Sequence, residues 1–74
     1  MTNTAATNAP AVDRTVRLTR DTWMINSPTA IAYLVPAGTE VQGHPIVSGR
    51  NWRIDTTWEG QAVSHIVYAN RVTH

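Results

Sequence analysis

The residues predict a small all-β protein, and three observations carry that expectation. Eleven Thr, eight Val and five Ile stand against only two Leu, and branching at Cβ favours the pleated strand over the helix. Two strand-like runs, residues 52–58 and 61–68, are joined by Glu59-Gly60 and read as a β-hairpin. Further short runs recur along the chain with turn residues between them, the pattern of a sandwich or small barrel. With 74 residues to spend, a five-stranded barrel is the expected form.

Residues 1–11 hold only Thr, Asn, Ala and Pro after Met1, with no charge and nothing to build a core. Residues 1–12 are therefore expected to form a flexible N-terminal arm, and residues 13–74 the barrel. Without a basic start and an apolar stretch the arm does not read as a secretory leader, which predicts a cytoplasmic protein. Residues 14–20 alternate: Val16 and Leu18 point one way, Thr15, Arg17 and Thr19 the other. Arg14, Arg17 and Arg20 would form a basic stripe on a helix, but strand parity separates Arg17 from the other two.

Residues 21–30 carry the turn initiator Asn26-Ser27-Pro28. An apolar run follows, Ile31-Ala32-Tyr33-Leu34-Val35, closed by the turn Pro36-Ala37-Gly38-Thr39. Residues 39–42 make a short alternating strand that Gly43-His44-Pro45 is expected to interrupt or bulge. Ile46-Val47 leads to a loop over residues 48–51, then to the hairpin, and Asn70-Arg71-Val72 closes the chain as a tight turn with a few paired residues. Type I′ turns prefer Asn or Asp before Gly, so the hairpin is expected to use a three-residue loop, Trp58-Glu59-Gly60, which sets Arg53 opposite His65.

Totals narrow the function. A domain of this size has a marginal core, and with no cysteine it has neither disulfide staples nor thiolate zinc sites, which leaves tight packing or self-association. All six basic residues are Arg, and a net charge of +1 argues against dedicated nucleic-acid binding. No apolar run approaches the roughly 20 residues of a membrane-spanning helix.

From Met24 onward the order of features resembles an SH3-like barrel of the bacterial type. Asn26-Ser27-Pro28 followed by Val35-Pro36-Ala37-Gly38-Thr39-Glu40-Val41 is similar to that family's R-S-G-P segment and K-G-T-x-V turn and strand. Trp52-Arg53-Ile54 stands where the family has W-x-K-V, and Asn70 and Val72 match the closing G-(I/V)-P-x-N-Y-V. The resemblance implies a five-stranded SH3-like barrel acting as a binding module. Where the eukaryotic branch has the Pro and Tyr of its polyproline groove, this chain has Tyr68 and Arg71, so polyproline binding is not implied. A free-standing cytoplasmic copy suggests a phage or mobile-element accessory protein, in the host cytoplasm or the virion. The segment Trp58-Glu59-Gly60-Gln61 is also similar to plasmid-type dihydrofolate reductases, but their V-Q-I-Y strand is missing.

No reaction centre is legible. Ser64 and His65 are adjacent, and on a strand they project to opposite faces. His44, His65 and His74 lack ligand spacing, and no Gly-rich phosphate cradle occurs. The expectation is a non-catalytic protein-interaction module that uses no metal and no cofactor. Its partner-binding surface is predicted at Trp23, Tyr33, Arg53, Trp58, Tyr68, Asn70 and Arg71, large amphipathic residues at loops and outward strand positions. Trp52 and Ile54 are assigned to the core. The alternatives are a capsid or tail accessory subunit and a barrel that binds single-stranded nucleic acid through stacked aromatics.

Overall fold

The computed structural model describes residues 13–46 and 50–73. The predicted arm, the 48–49 part of the predicted loop, and His74 lie outside them. Seven strands form: β1 (Arg14–Leu18), β2 (Thr22–Asn26), β3 (Ile31–Val35), β4 (Glu40–Pro45), β5 (Asn51–Trp58), β6 (Gln61–Tyr68) and β7 (Val72–Thr73). A single 3-10 turn, Ala69–Arg71, precedes β7. All pairings are antiparallel, in the order β3-β2-β6-β5-β4-β1-β7, and the sheet curls into a half-barrel. No helix among the described residues is long and apolar enough to cross a membrane.

The all-β expectation holds, but the strand count is seven rather than five. β2 was hidden because its polarity is inverted. Thr22, Met24 and Asn26 face inward while Trp23 and Ile25 face out, so an alternation that should place apolar residues inside places two polar ones there. β7 is the short pairing expected after the closing turn, two residues long and set against Arg17 and Leu18.

The concave face carries the core: Val16, Leu18, Met24, Val35, Val41, Trp52, Ile54, Val63, Val67 and Val72. Buried polar groups on this face are satisfied locally, as burial requires. The Thr22 hydroxyl donates to the Arg20 carbonyl at 2.9 Å. The Asn26 amide donates to the Ala62 carbonyl at 2.9 Å. Its oxygen accepts from the Thr29 hydroxyl at 2.6 Å and the Thr29 amide at 3.2 Å. Asn26 thereby fixes the β2–β3 loop and ties it to β6.

Gly43 does not interrupt β4, which runs unbroken to Pro45. A Cβ there would lie 2.7 Å from the Trp52 ring and 3.1 Å from Val16. The glycine is the seat of the indole.

The hairpin register also differs from expectation. Trp58 pairs with Gln61, Ile54 with His65 and Trp52 with Val67. The turn is the two-residue form, with Glu59 and Gly60 both at positive φ, 51° and 79°. Eight uninterrupted pairs keep Trp52, Ile54, Val63 and Val67 on the core face. A slip by one would turn one strand's apolar set to solvent, a larger penalty than a left-handed Glu.

Candidate functional site

The site grows from a discontinuity in the sheet. β6 pairs with β5 along its whole length, but among the described residues its ladder with β2 consists of Ile25 opposite Ser64. Beyond that pair the two strands part, and a cleft of about 470 Å³ opens between Asp21-Thr22-Trp23 and His65-Ile66-Val67-Tyr68. Asn51 and Arg71 complete its lining.

Both ends of β2 are held, and its Thr22-Trp23 half lines the cleft. Asn26 anchors one end, as described. At the other, the Thr19 amide donates to the Arg71 carbonyl at 2.8 Å, and the Thr19 hydroxyl donates to the Asn70 carbonyl at 3.0 Å. The Ala37 amide donates to Asp21 Oδ1 at 2.8 Å. The 3-10 turn that carries Arg71 is pinned in addition by the Ala69 amide, which donates to the Arg50 carbonyl at 2.7 Å.

That last bond sets the backbone polarity of β6. Hydrogen-bonded pairs alternate along an antiparallel ladder, so Val67 and His65 bond to β5. Ile66 and Tyr68 turn their N–H and C=O groups towards β2, into the cleft. One wall of the opening is thus a strand edge with donors and acceptors outside the β2–β6 ladder.

Its rim is apolar and aromatic. Tyr68 is 70% exposed, Trp23 58% and Ile66 56%. Leu34, opposite Trp23 in β3, extends the patch. The half-buried Arg71 lines the cleft, and no carboxylate among the described residues pairs with it. The combination is an apolar clamp with a cation at one end.

A second cluster occupies the outer face of β4 and β5. His44 Nε2 lies 2.6 Å from Asp55 Oδ2, and His44 Nδ1 lies 2.9 Å from Asp13 Oδ2. Arg53 Nη1 reaches the same Asp55 oxygen at 3.2 Å. Both ring nitrogens of His44 face carboxylate oxygens rather than a nucleophile. Ser64 lies opposite Asp55 in the ladder and His65 opposite Ile54. Among the described residues no group of three His, Asp or Glu side chains could hold a metal ion. A hollow of about 590 Å³ beside Asp55 and Ser64 is lined by hydroxyls, Gln42 and small side chains, with no aromatic rim.

The predicted surface divides. Trp23, Tyr68 and Arg71 meet at the cleft, and Arg53 stands beside Ile66 as its cross-strand partner. Asn70 is exposed on the 3-10 turn, where its carbonyl is already used by Thr19. Tyr33 is half-buried and packs against the core from the inner face of β3. Trp58 is not the exposed loop-tip anchor expected. It is half-buried against the core, because the two-residue turn keeps it in the ladder opposite Gln61. It also sits seven residues along β5 from the Asn51–Tyr68 pair, about 23 Å away at a strand's rise.

Sequence reasoning missed Ile66, Asp21 and His65. Ile66 had a signal: residues 63–68 place apolar side chains at both parities, which implies an apolar outer face as well as a core. Compared with known protein families, curated proteins and solved structures, the chain matches none.

Proposed function

We propose that this half-barrel is a non-catalytic protein-interaction module that captures an extended, acidic segment of a partner in the β2–β6 cleft. The observation that carries the reading is three large, majority-exposed apolar side chains, Trp23, Ile66 and Tyr68, around one opening whose cation, Arg71, pairs with no carboxylate among the described residues. Exposed apolar clusters with a polar rim mark interaction sites, and Trp, Tyr and Arg are the residue types that dominate binding energy. The peptide backbone would meet Ile66 and Tyr68 as an added strand. An acidic side chain or terminal carboxylate would meet the Arg71 fork. Asp13 and Asp55 engage both ring nitrogens of His44, which supports binding over chemistry. The order of motifs that resembles SH3-like barrels is consistent with the same role.

The test is selection from a displayed library of random peptides, followed by fluorescence titration of the selected sequence. Trp23→Ala is expected to weaken capture at least about 30-fold, the hot-spot threshold of about 2 kcal/mol. Arg71→Ala should cost about tenfold and flatten the salt dependence, since the lost term is electrostatic. Trp58→Ala, at the far end of β5, should leave affinity intact. Undiminished capture by the Trp23→Ala, Arg71→Ala double variant would refute the site. Salt-steep quenching by a single-stranded oligonucleotide, with no peptide selected, would replace the protein partner by a nucleic acid.

A further inference from the structure

Among the described residues the sheet ends at β3, and that edge carries none of the devices that keep edges from pairing. β3 is Ile31-Ala32-Tyr33-Leu34-Val35, paired along all five residues with β2 and without a bulge. It holds no charge, proline or glycine, whereas such residues are what normally blunt an exposed edge. Residues 27–39, which include the turns on either side, are also uncharged. The other end of the sheet is different: β7 is two residues long, and β1 beside it carries Arg14 and Arg17.

Ladder parity says which backbone groups β3 presents. Ser64 turns its N–H and C=O towards β2, so Ile25 opposite it turns towards β6. Met24 and Asn26 then bond to Tyr33 and Ile31. Ala32 and Leu34 are left with N–H and C=O groups pointing off the end of the sheet. Ile31 is 52% exposed and Leu34 45%, so the strand is apolar in its side chains as well as open in its backbone.

We infer that this edge pairs with β3 of a second copy of the chain, antiparallel about a two-fold axis beside Tyr33. The register is self-complementary. Ala32 lies opposite the second copy's Leu34 and exchanges both hydrogen bonds with it, and the reciprocal pair does the same. Tyr33 meets its own counterpart at a non-hydrogen-bonded position. On the outer face, Trp23 and Leu34 of one copy continue into Ala32 and Ile25 of the other, an unbroken apolar row across the joint. No like charges face each other, because the whole 27–39 segment has none. The join is an isologous contact that closes on itself, so it makes a dimer rather than a filament. A single five-residue edge is a small interface, and the dimer is in concentration-dependent exchange with monomer.

The chain has no cysteine, which gives a clean test. Tyr33→Cys should form an intermolecular disulfide under mild oxidation, since Cα atoms of a non-hydrogen-bonded pair sit about 4.5 Å apart, within disulfide range. Leu34→Cys, whose partner across the joint is Ala32, should not. Tyr33 packs against the core, so the unmodified chain supplies a second measurement. Its mass by light scattering should rise from monomer to dimer with concentration, and the Ala32 and Leu34 amides should gain protection from exchange together with it. Ala32→Lys should return the chain to monomer while leaving peptide capture at the β2–β6 cleft unchanged, so the two proposals fail separately. A monomeric mass at every concentration, with Ala32 and Leu34 amides exchanging at one constant rate, would overturn the dimer. Assemblies larger than two without cross-linking at position 33 would overturn its symmetry.

Discussion

β6 has two neighbours and meets them in opposite ways. With β5 it forms eight consecutive pairs, and with β2 a single one. The backbone is the same strand in both cases, so the difference lies in what delivers the neighbour. β5 arrives through a two-residue turn that fixes register from its first pair. β2 arrives from the far end of the chain and is held at its ends by Asn26, by Thr19 and by Asp21. Stability therefore resides on the β5 side, and the β2 side is free to remain open. One strand serves as both foundation and open edge.

The largest effect should come from breaking the β5 side. Ile54 is fully buried at the centre of that ladder, opposite His65. Ile54→Ala should cost about 2–5 kcal/mol through lost burial and the cavity left behind. Because total stability is only of the order of 5 kcal/mol at this length, the variant should keep at most about 3 kcal/mol, and its melting temperature by circular dichroism should fall by about 10 degrees or more. A loss below about 1 kcal/mol would place the stabilising centre elsewhere.

A smaller, more local effect should follow on the β2 side. Asn26→Ala leaves the Ala62 carbonyl without its donor and frees the loop, a cost of about 1–3 kcal/mol. If the two edges of β6 are energetically distinct, amides of β2 and β3 should exchange faster while those of Val67 and His65 keep their protection. Equal acceleration on both sides would show that the half-barrel opens as one unit, and the distinction drawn here would fall.

The same contrast explains how much could be read from residues alone. The β5–β6 hairpin, the β1 alternation and the core roles of Trp52 and Ile54 were legible, because local pattern and burial agree there. β2 was not, because its inward residues are polar: Thr22 and Asn26 are buried by side-chain hydrogen bonds that depend on Arg20, Thr29 and Ala62. Trp23, Tyr68 and Arg71 were named from residue type, but nothing in sequence spacing brings positions 23, 68 and 71 to one cleft. The Asp13–His44–Asp55 chain was equally hidden, since it depends on the β4–β5 register that sets Gln42 opposite Asp55. Gly43 resembled a breaker because glycine carries no sign of the indole it accommodates.

The finest adjustment concerns the turn that makes the β5 side so regular. Glu59 holds φ at 51°, a region that costs a residue with a Cβ about 1–2 kcal/mol, and Asn is the residue most at home there before glycine. The protein accepts this strain because slipping to a glycine-bulge loop would misplace a strand of core side chains. Glu59→Asn should therefore stabilise the fold by up to about 1 kcal/mol, a rise of several degrees in melting temperature for a domain of this size. The β5–β6 register should be unchanged, with Ile54 still opposite His65 by cross-strand nuclear Overhauser contacts. A melting temperature that fails to rise would mean that the Glu59 side chain offsets the strain of its own backbone, and that the turn is held by more than the register of the core.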